Sequence, residues 1–102
     1  MISARDFIKK YETQVNQEVT DILQDISEEL SSSGSASGEW EVRHIPMSLA
    51  ALTAQLVSNE LEKMGWECNY EVRELSEAIE FNVYLSVRNL VYARFSLLYA
   101  CV

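Results

Sequence analysis

The hydrophobic residues of this chain change period along its length. In the first third they fall at Ile8, Tyr11, Val15, Val19, Ile22, Ile26 and Leu30, in steps of three and four. The mean step of about 3.67 residues is that of an α-helix carrying one apolar stripe on an eleven-residue repeat. Phe7 and Leu23 widen the stripe. Ser3 stands where an N-cap belongs, with Asp6 three residues on, in the manner of a capping box.

Later the period becomes two. Glu39 to Ile45 alternates, with Trp40, Val42 and His44 on one face and Glu39, Glu41 and Arg43 on the other, and Pro46 ends the run. Ser48 is placed to cap a second helix from about Leu49 to Met64, followed by Gly65 at the position a C-terminal helix glycine occupies. Trp66, Cys68, Tyr70 and Val72 then alternate against polar neighbours, lose phase at Leu75-Ser76-Glu77, and are succeeded by Ile79, Phe81, Val83, Leu85 and Val87. Two alternating runs with a short polar break predict an antiparallel hairpin. Leu90 to Val102 is apolar on both faces; it reads as a covered strand, with helix as the alternative because Leu90, Arg94, Leu97 and Cys101 share a helical face.

The predicted fold is α+β. A long N-terminal amphipathic helix and a Ser/Gly linker precede strand, helix, strand, strand and a further strand. The helices lie on one face of a mixed, mainly antiparallel sheet. The strands flanking the second helix would run parallel if they were neighbours. The chain of 102 residues is one domain by length, divided into helix (1–30), flexible linker (31–38) and α+β core (39–102). A straight helix from Ser3 to Leu30 would be about 40 Å long. A compact domain of this size has a radius of gyration of only about 13 Å. The excess stripe predicts a homo-oligomer, with a dimer favoured.

Charge sharpens the picture. The net charge is −8, and no Lys or Arg stands between Tyr11 and Val42. Glu18, Asp21, Asp25, Glu28 and Glu29 make the candidate acidic face for a partner, continued in sequence by Glu39 and Glu41. Such a balance disfavours direct nucleic-acid binding. From Phe81 onward there is no acidic residue, but Asn82, Arg88, Asn89 and Arg94 interrupt the apolar run and argue against a membrane span. The opening residues have no apolar signal-peptide core, so a cytoplasmic protein with reduced thiols at Cys68 and Cys101 is expected, a disulfide between them being the lesser alternative.

Catalytic chemistry finds little support. His44 is the single histidine and reads as a partly buried strand residue. No G-x-S-x-G elbow, P-loop or dinucleotide fingerprint is present. One His and two distant Cys make no zinc site, and the acidic clusters lack calcium-loop spacing. No catalytic residue, metal ligand or cofactor is therefore assigned. The candidate ligand contacts are Tyr84, on the polar face of its strand, with Arg73, Arg88 and Arg94, an aromatic–arginine set suited to a nucleotide or an acidic peptide.

Several stretches together carry a resemblance: the opening Met1-Ile2-Ser3-Ala4-Arg5, the polar helix ending near Ile26, the small-residue break, Trp40-Glu41-Val42, and Leu61-Glu62-Lys63-Met64-Gly65-Trp66-Glu67-Cys68. Over roughly residues 1–73 this pattern resembles small accessory proteins of tailed bacteriophages and prophages. The chain departs from them in its longer Ser/Gly run and its extended C-terminal strands. The resemblance carries no activity; it implies a viral accessory protein acting in the bacterial cytoplasm. The expected function is a non-enzymatic acidic protein that binds and modulates a host protein, as an anti-defence or host-takeover factor. The alternatives are a nucleotide-sequestering binding protein and a structural virion component.

Overall fold

In a computed structural model, which describes residues 1–85, the chain runs α1 (Ala4–Lys10), α2 (Glu12–Ser33), β1 (Ala36–Glu41), a single 3-10 turn (Met47–Leu49), α3 (Ala50–Lys63), β2 (Trp66–Arg73) and β3 (Ala78–Leu85). The architecture is α+β, with α2 and α3 packed on one face of a three-stranded antiparallel sheet. Expectations concerning Val87, Arg88, Arg94, Cys101 and the stretch 90–102 lie outside the described residues.

The N-terminal stripe forms two helical segments rather than one. Ser3 caps α1 as its sequence position requires, its Oγ accepting the Asp6 N–H at 3.1 Å. At Tyr11 the N–H donates to the Ile8 carbonyl, three residues back instead of four, which tightens one turn and separates α1 from α2. Along α2 the stripe is buried at Val15, Ile22, Ile26 and Leu30. These residues meet α3 and the sheet of the same chain. The surplus stripe from which a dimer was expected thus shrinks to α1, which buries no residue and leaves Ile8 exposed.

The Ser/Gly run is not a linker. Ser31, Ser32 and Ser33 finish α2, their hydroxyls donating to carbonyls of the preceding turn at Ser27 and Glu29. Gly34, in the left-handed region at φ 74°, closes the helix by donating its N–H to the Leu30 carbonyl. Ala36, Ser37 and Gly38 already belong to β1, and Ala36 is buried. Small side chains suit this place: Gly38 lies opposite Phe81 and beneath the Trp40 ring, and the Trp40 and Phe81 rings meet edge to face at 5.6 Å.

β3 is the central strand, in the order β1-β3-β2. The strands flanking α3 are therefore not neighbours, although both run antiparallel to β3 and hence parallel to each other. A four-residue turn, Glu74 to Glu77, places β3 directly beside β2, and the other edge of β3 then receives β1. The inward rows across the sheet are Ala36–Val83–Cys68, Gly38–Phe81–Tyr70 and Trp40–Ile79–Val72. Ile79, Phe81 and Val83 are wholly buried, whereas the edge strands contribute half-buried aromatics. That difference explains why the most apolar strand sits in the middle.

β1 ends at Glu41, not at Ile45. The Val42 N–H makes the last bond toward β3, to the Glu77 carbonyl at 2.9 Å, and Glu77 is already in the turn. With no strand left to pair with, the chain leaves the sheet. The alternation breaks with it: Ile45 turns inward and His44 is exposed. Ser48 does not cap the second helix; Pro46 introduces the 3-10 turn, and α3 begins at Ala50 without a side-chain cap. Gly65 occupies the expected C-terminal position with φ 93°.

Two stability predictions follow from this packing. Ile26, fully buried between α2, α3 and the sheet, should lose about 2–5 kcal/mol on Ile26→Ala in urea unfolding, while Ile8→Ala on exposed α1 should change stability by less than about 0.5 kcal/mol. Glu77 adopts φ 50°, a conformation that costs an L-residue about 1–2 kcal/mol. Glu77→Gly should therefore stabilise the fold by about 0.5 kcal/mol after the entropy cost of glycine, and the β-branched Glu77→Val should destabilise it by about 1 kcal/mol, both read in urea unfolding.

Candidate acidic docking face

Helical spacing places Asp21 and Asp25 one above the other on α2, and Glu18 a turn earlier. β1 and the segment after it lie alongside this part of the helix. Between them runs a groove of about 550 Å³ whose walls are Asp21 and Asp25 from α2, Glu39, Trp40 and Glu41 from β1, and His44 beyond it. Residues from both faces of β1 line it, so the groove follows the edge of that strand that is unpaired among the described residues.

The expected acidic face is divided by the fold. Asp21 and Asp25 are exposed and belong to the groove, Asp21 accepting a bond from Gln17 Nε2 at 2.9 Å. Glu28 and Glu29 are exposed nearer the end of α2 and do not line it. Glu18 also lines the groove, but it is nearly buried. It is only 5% exposed, and its carboxylate accepts the His44 backbone N–H at 3.1 Å. Its role is to tie α2 to the chain where β1 has left the sheet. The helical stripe, which put Val19 inside, gave no sign of this; in the structure Val19 is half-buried and Glu18 is the buried neighbour.

Glu39 and Glu41 are the members that the helix-centred face omitted. Their signal was present in the charge run, but only the β1 register brings them beside α2. Arg43 is the cation of the groove, and it is already engaged: its Nε and Nη2 both donate to Glu41 Oε2, at 3.1 and 2.9 Å.

The outward face of the sheet is also acidic. Glu39, Glu80 and Glu71 stand in one row across the three strands. Arg73 gathers them, with Nε 2.6 Å from Glu80 Oε2 and 3.3 Å from Glu39, and Nη2 near Glu71 and Glu80. The hydrogen bond to Glu80, then the charges of Glu71, Glu80 and Glu39, hold this guanidinium charged even more firmly than usual. One Arg among three carboxylates leaves the face negative.

Of the expected aromatic–arginine set, the described members Tyr84 and Arg73 lie apart. Tyr84 is on the outward face as predicted, its hydroxyl accepting Asn69 Nδ2 at 3.1 Å. But Tyr84 pairs with Glu67 and Arg73 with Ala78, at opposite ends of the β2–β3 ladder. Six residues of strand separate them, about 20 Å. Arg88 and Arg94 lie outside the described residues.

Cys68 is buried in the core beneath α3. Burial pushes its thiol up, and the Glu62 charge adds to this against a lowering bond with Ser58. Such a thiol stays protonated and behaves as packing. His44, exposed and beyond the strand, is not the partly buried strand residue expected. Among the described residues no group of three His, Cys, Asp or Glu is placed to hold a metal ion, and no helix is long and apolar enough to cross a membrane.

No protein-family model, curated protein or solved structure matches the chain. The class it defines on its own geometry is a small α+β domain that carries, among the described residues, a carboxylate-lined groove along the edge strand β1.

The buried Glu18 offers a direct check of the local construction. Glu18→Ala should cost about 1–3 kcal/mol, because it strands the His44 N–H, and Glu18→Gln, which keeps an acceptor oxygen, should recover most of that loss in chemical denaturation.

Proposed function

We propose that this protein is a non-enzymatic binding module whose acidic α2–β1 face docks on a positively charged surface of another protein. On the resemblance to phage accessory proteins, that partner is a bacterial host protein whose activity the binding modulates. The observation that carries the reading is the convergence of Asp21, Asp25, Glu39 and Glu41 on one groove whose own cation, Arg43, is taken up by Glu41. Clustered charge of one sign raises the local concentration of an oppositely charged partner and speeds its encounter. The nucleotide-binding reading draws less support, since Tyr84 and Arg73 are far apart and Arg73 is surrounded by carboxylates.

The test compares affinity capture from bacterial lysate by the wild-type chain and by a variant carrying Asp21→Asn, Asp25→Asn, Glu39→Gln and Glu41→Gln. A defined partner should be retained by the wild type at about 0.1 M salt, where charges act over about 10 Å, and released toward 1 M, where the range falls to about 3 Å. The neutralised variant should fail to retain it. Equal recovery by both proteins, or recovery indifferent to salt, would count against the reading.

A further inference from the structure

Among the described residues β1 is an edge strand, and the direction of its backbone groups can be read from its register. Val42 lies opposite Glu77 and donates its N–H to the Glu77 carbonyl. In an antiparallel ladder, hydrogen-bonded pairs alternate with non-bonded ones. Trp40, Gly38 and Ala36 therefore share the bonded set with Val42, facing β3. Ser37, Glu39 and Glu41 direct their N–H and C=O groups the other way, away from β3, and of these Glu39 and Glu41 line the groove.

We infer that the occupant of this groove is an extended basic segment of the partner, which pairs with β1 as a fourth strand. This inference rests on the acidic face being a docking surface, as proposed above, and adds the mode of recognition and the partner's chemistry. An added strand supplies main-chain bonds to Ser37, Glu39 and Glu41, and its side chains alternate between the two faces of the sheet. On the outward face they meet Glu39 and Glu41, which favour Lys or Arg at every second position. On the inward side they meet Trp40 together with Asp21, Ile22 and Asp25 of α2.

A second copy of this chain fits the same edge poorly. Antiparallel self-pairing centred on Glu39 would set Glu39 against Glu39, and like charges directly opposite destabilise a ladder. The charge that repels a second β1 is the charge that admits a basic strand. β1 also lacks the lysine or proline that guards many edges against pairing.

The experiment uses the full chain and an octapeptide of alternating lysine and threonine, with intrinsic tryptophan fluorescence, to which Trp40 in the groove contributes, as the readout. Two further peptides carry backbone N-methyl groups, on all lysines in one and on all threonines in the other. Edge pairing predicts that one methylated set, and not the other, weakens binding by about tenfold or more. It also predicts that Ser37→Pro, which removes an outward N–H but no charge and no bond to β3, weakens the parent peptide while far-UV circular dichroism is unchanged. Equal affinities for all three peptides, or equal losses for both methylated ones, would overturn strand addition and leave charge-based docking standing. Failure of the parent peptide to bind at low salt would count against both. A dimer that Ser37→Pro abolishes would assign the edge to a second copy and overturn the inference.

Discussion

Ile79, Phe81 and Val83 of β3 expose no surface to solvent, and the rest of the fold is arranged around keeping them dry. α2 brings Ile22, Ile26 and Leu30 to the same core, and α3 brings Ala54, Val57 and Leu61. The two edge strands flank the row with the half-buried rings of Trp40, Trp66 and Tyr70, and the Tyr70 hydroxyl donates to Gln55. Burying such side chains is worth about 1.5–3 kcal/mol each before entropy is counted, so this single row and its neighbours carry much of what a domain this small has to spend. Because β3 must be covered on both edges as well as on one face, β1 and β2 are both pushed to the outside of the sheet.

That constraint sets up the surface. Putting β1 at the edge leaves half its backbone groups unpaired among the described residues. Laying α2 against its inner face lines the resulting groove with the helix's polar side. The acidic character of the groove comes from the chain's lack of Lys and Arg between Tyr11 and Val42, but its shape comes from the sheet order. The sheet's outward face shows the same division. Glu39, Glu71 and Glu80 are far apart in sequence and become one row only through the register, with Arg73 balancing part of their charge.

Glu18 and Gly34 show how local chemistry connects these parts. A buried carboxylate normally carries a cost that must be met by partners. Glu18 meets part of it with the His44 N–H, at the point where β1 has run out of sheet to pair with. Gly34 ends α2 so abruptly that only Ser35 separates it from β1. A run that by composition suggested slack chain is in fact a helix terminus and a strand start, because serine hydroxyls can return to helix carbonyls and small residues fit under an aromatic ring.

The α+β class, the positions of the major helices and the β2–β3 hairpin were legible in the sequence, since each rests on a local period that backbone geometry converts directly into a buried face. So were the Ser3 cap, the Gly65 terminus and the turn at Leu75-Ser76-Glu77, where a few neighbouring residues settle the conformation. The break at Tyr11, the extent of β1, the insertion of β3 between β1 and β2, the burial of Glu18 and the separation of Tyr84 from Arg73 were decided only in three dimensions. Periodicity states which side of an element is apolar. It does not state which element that side meets, and the strand order, the burial of Glu18 and the separation of Tyr84 from Arg73 all depend on that choice of neighbour.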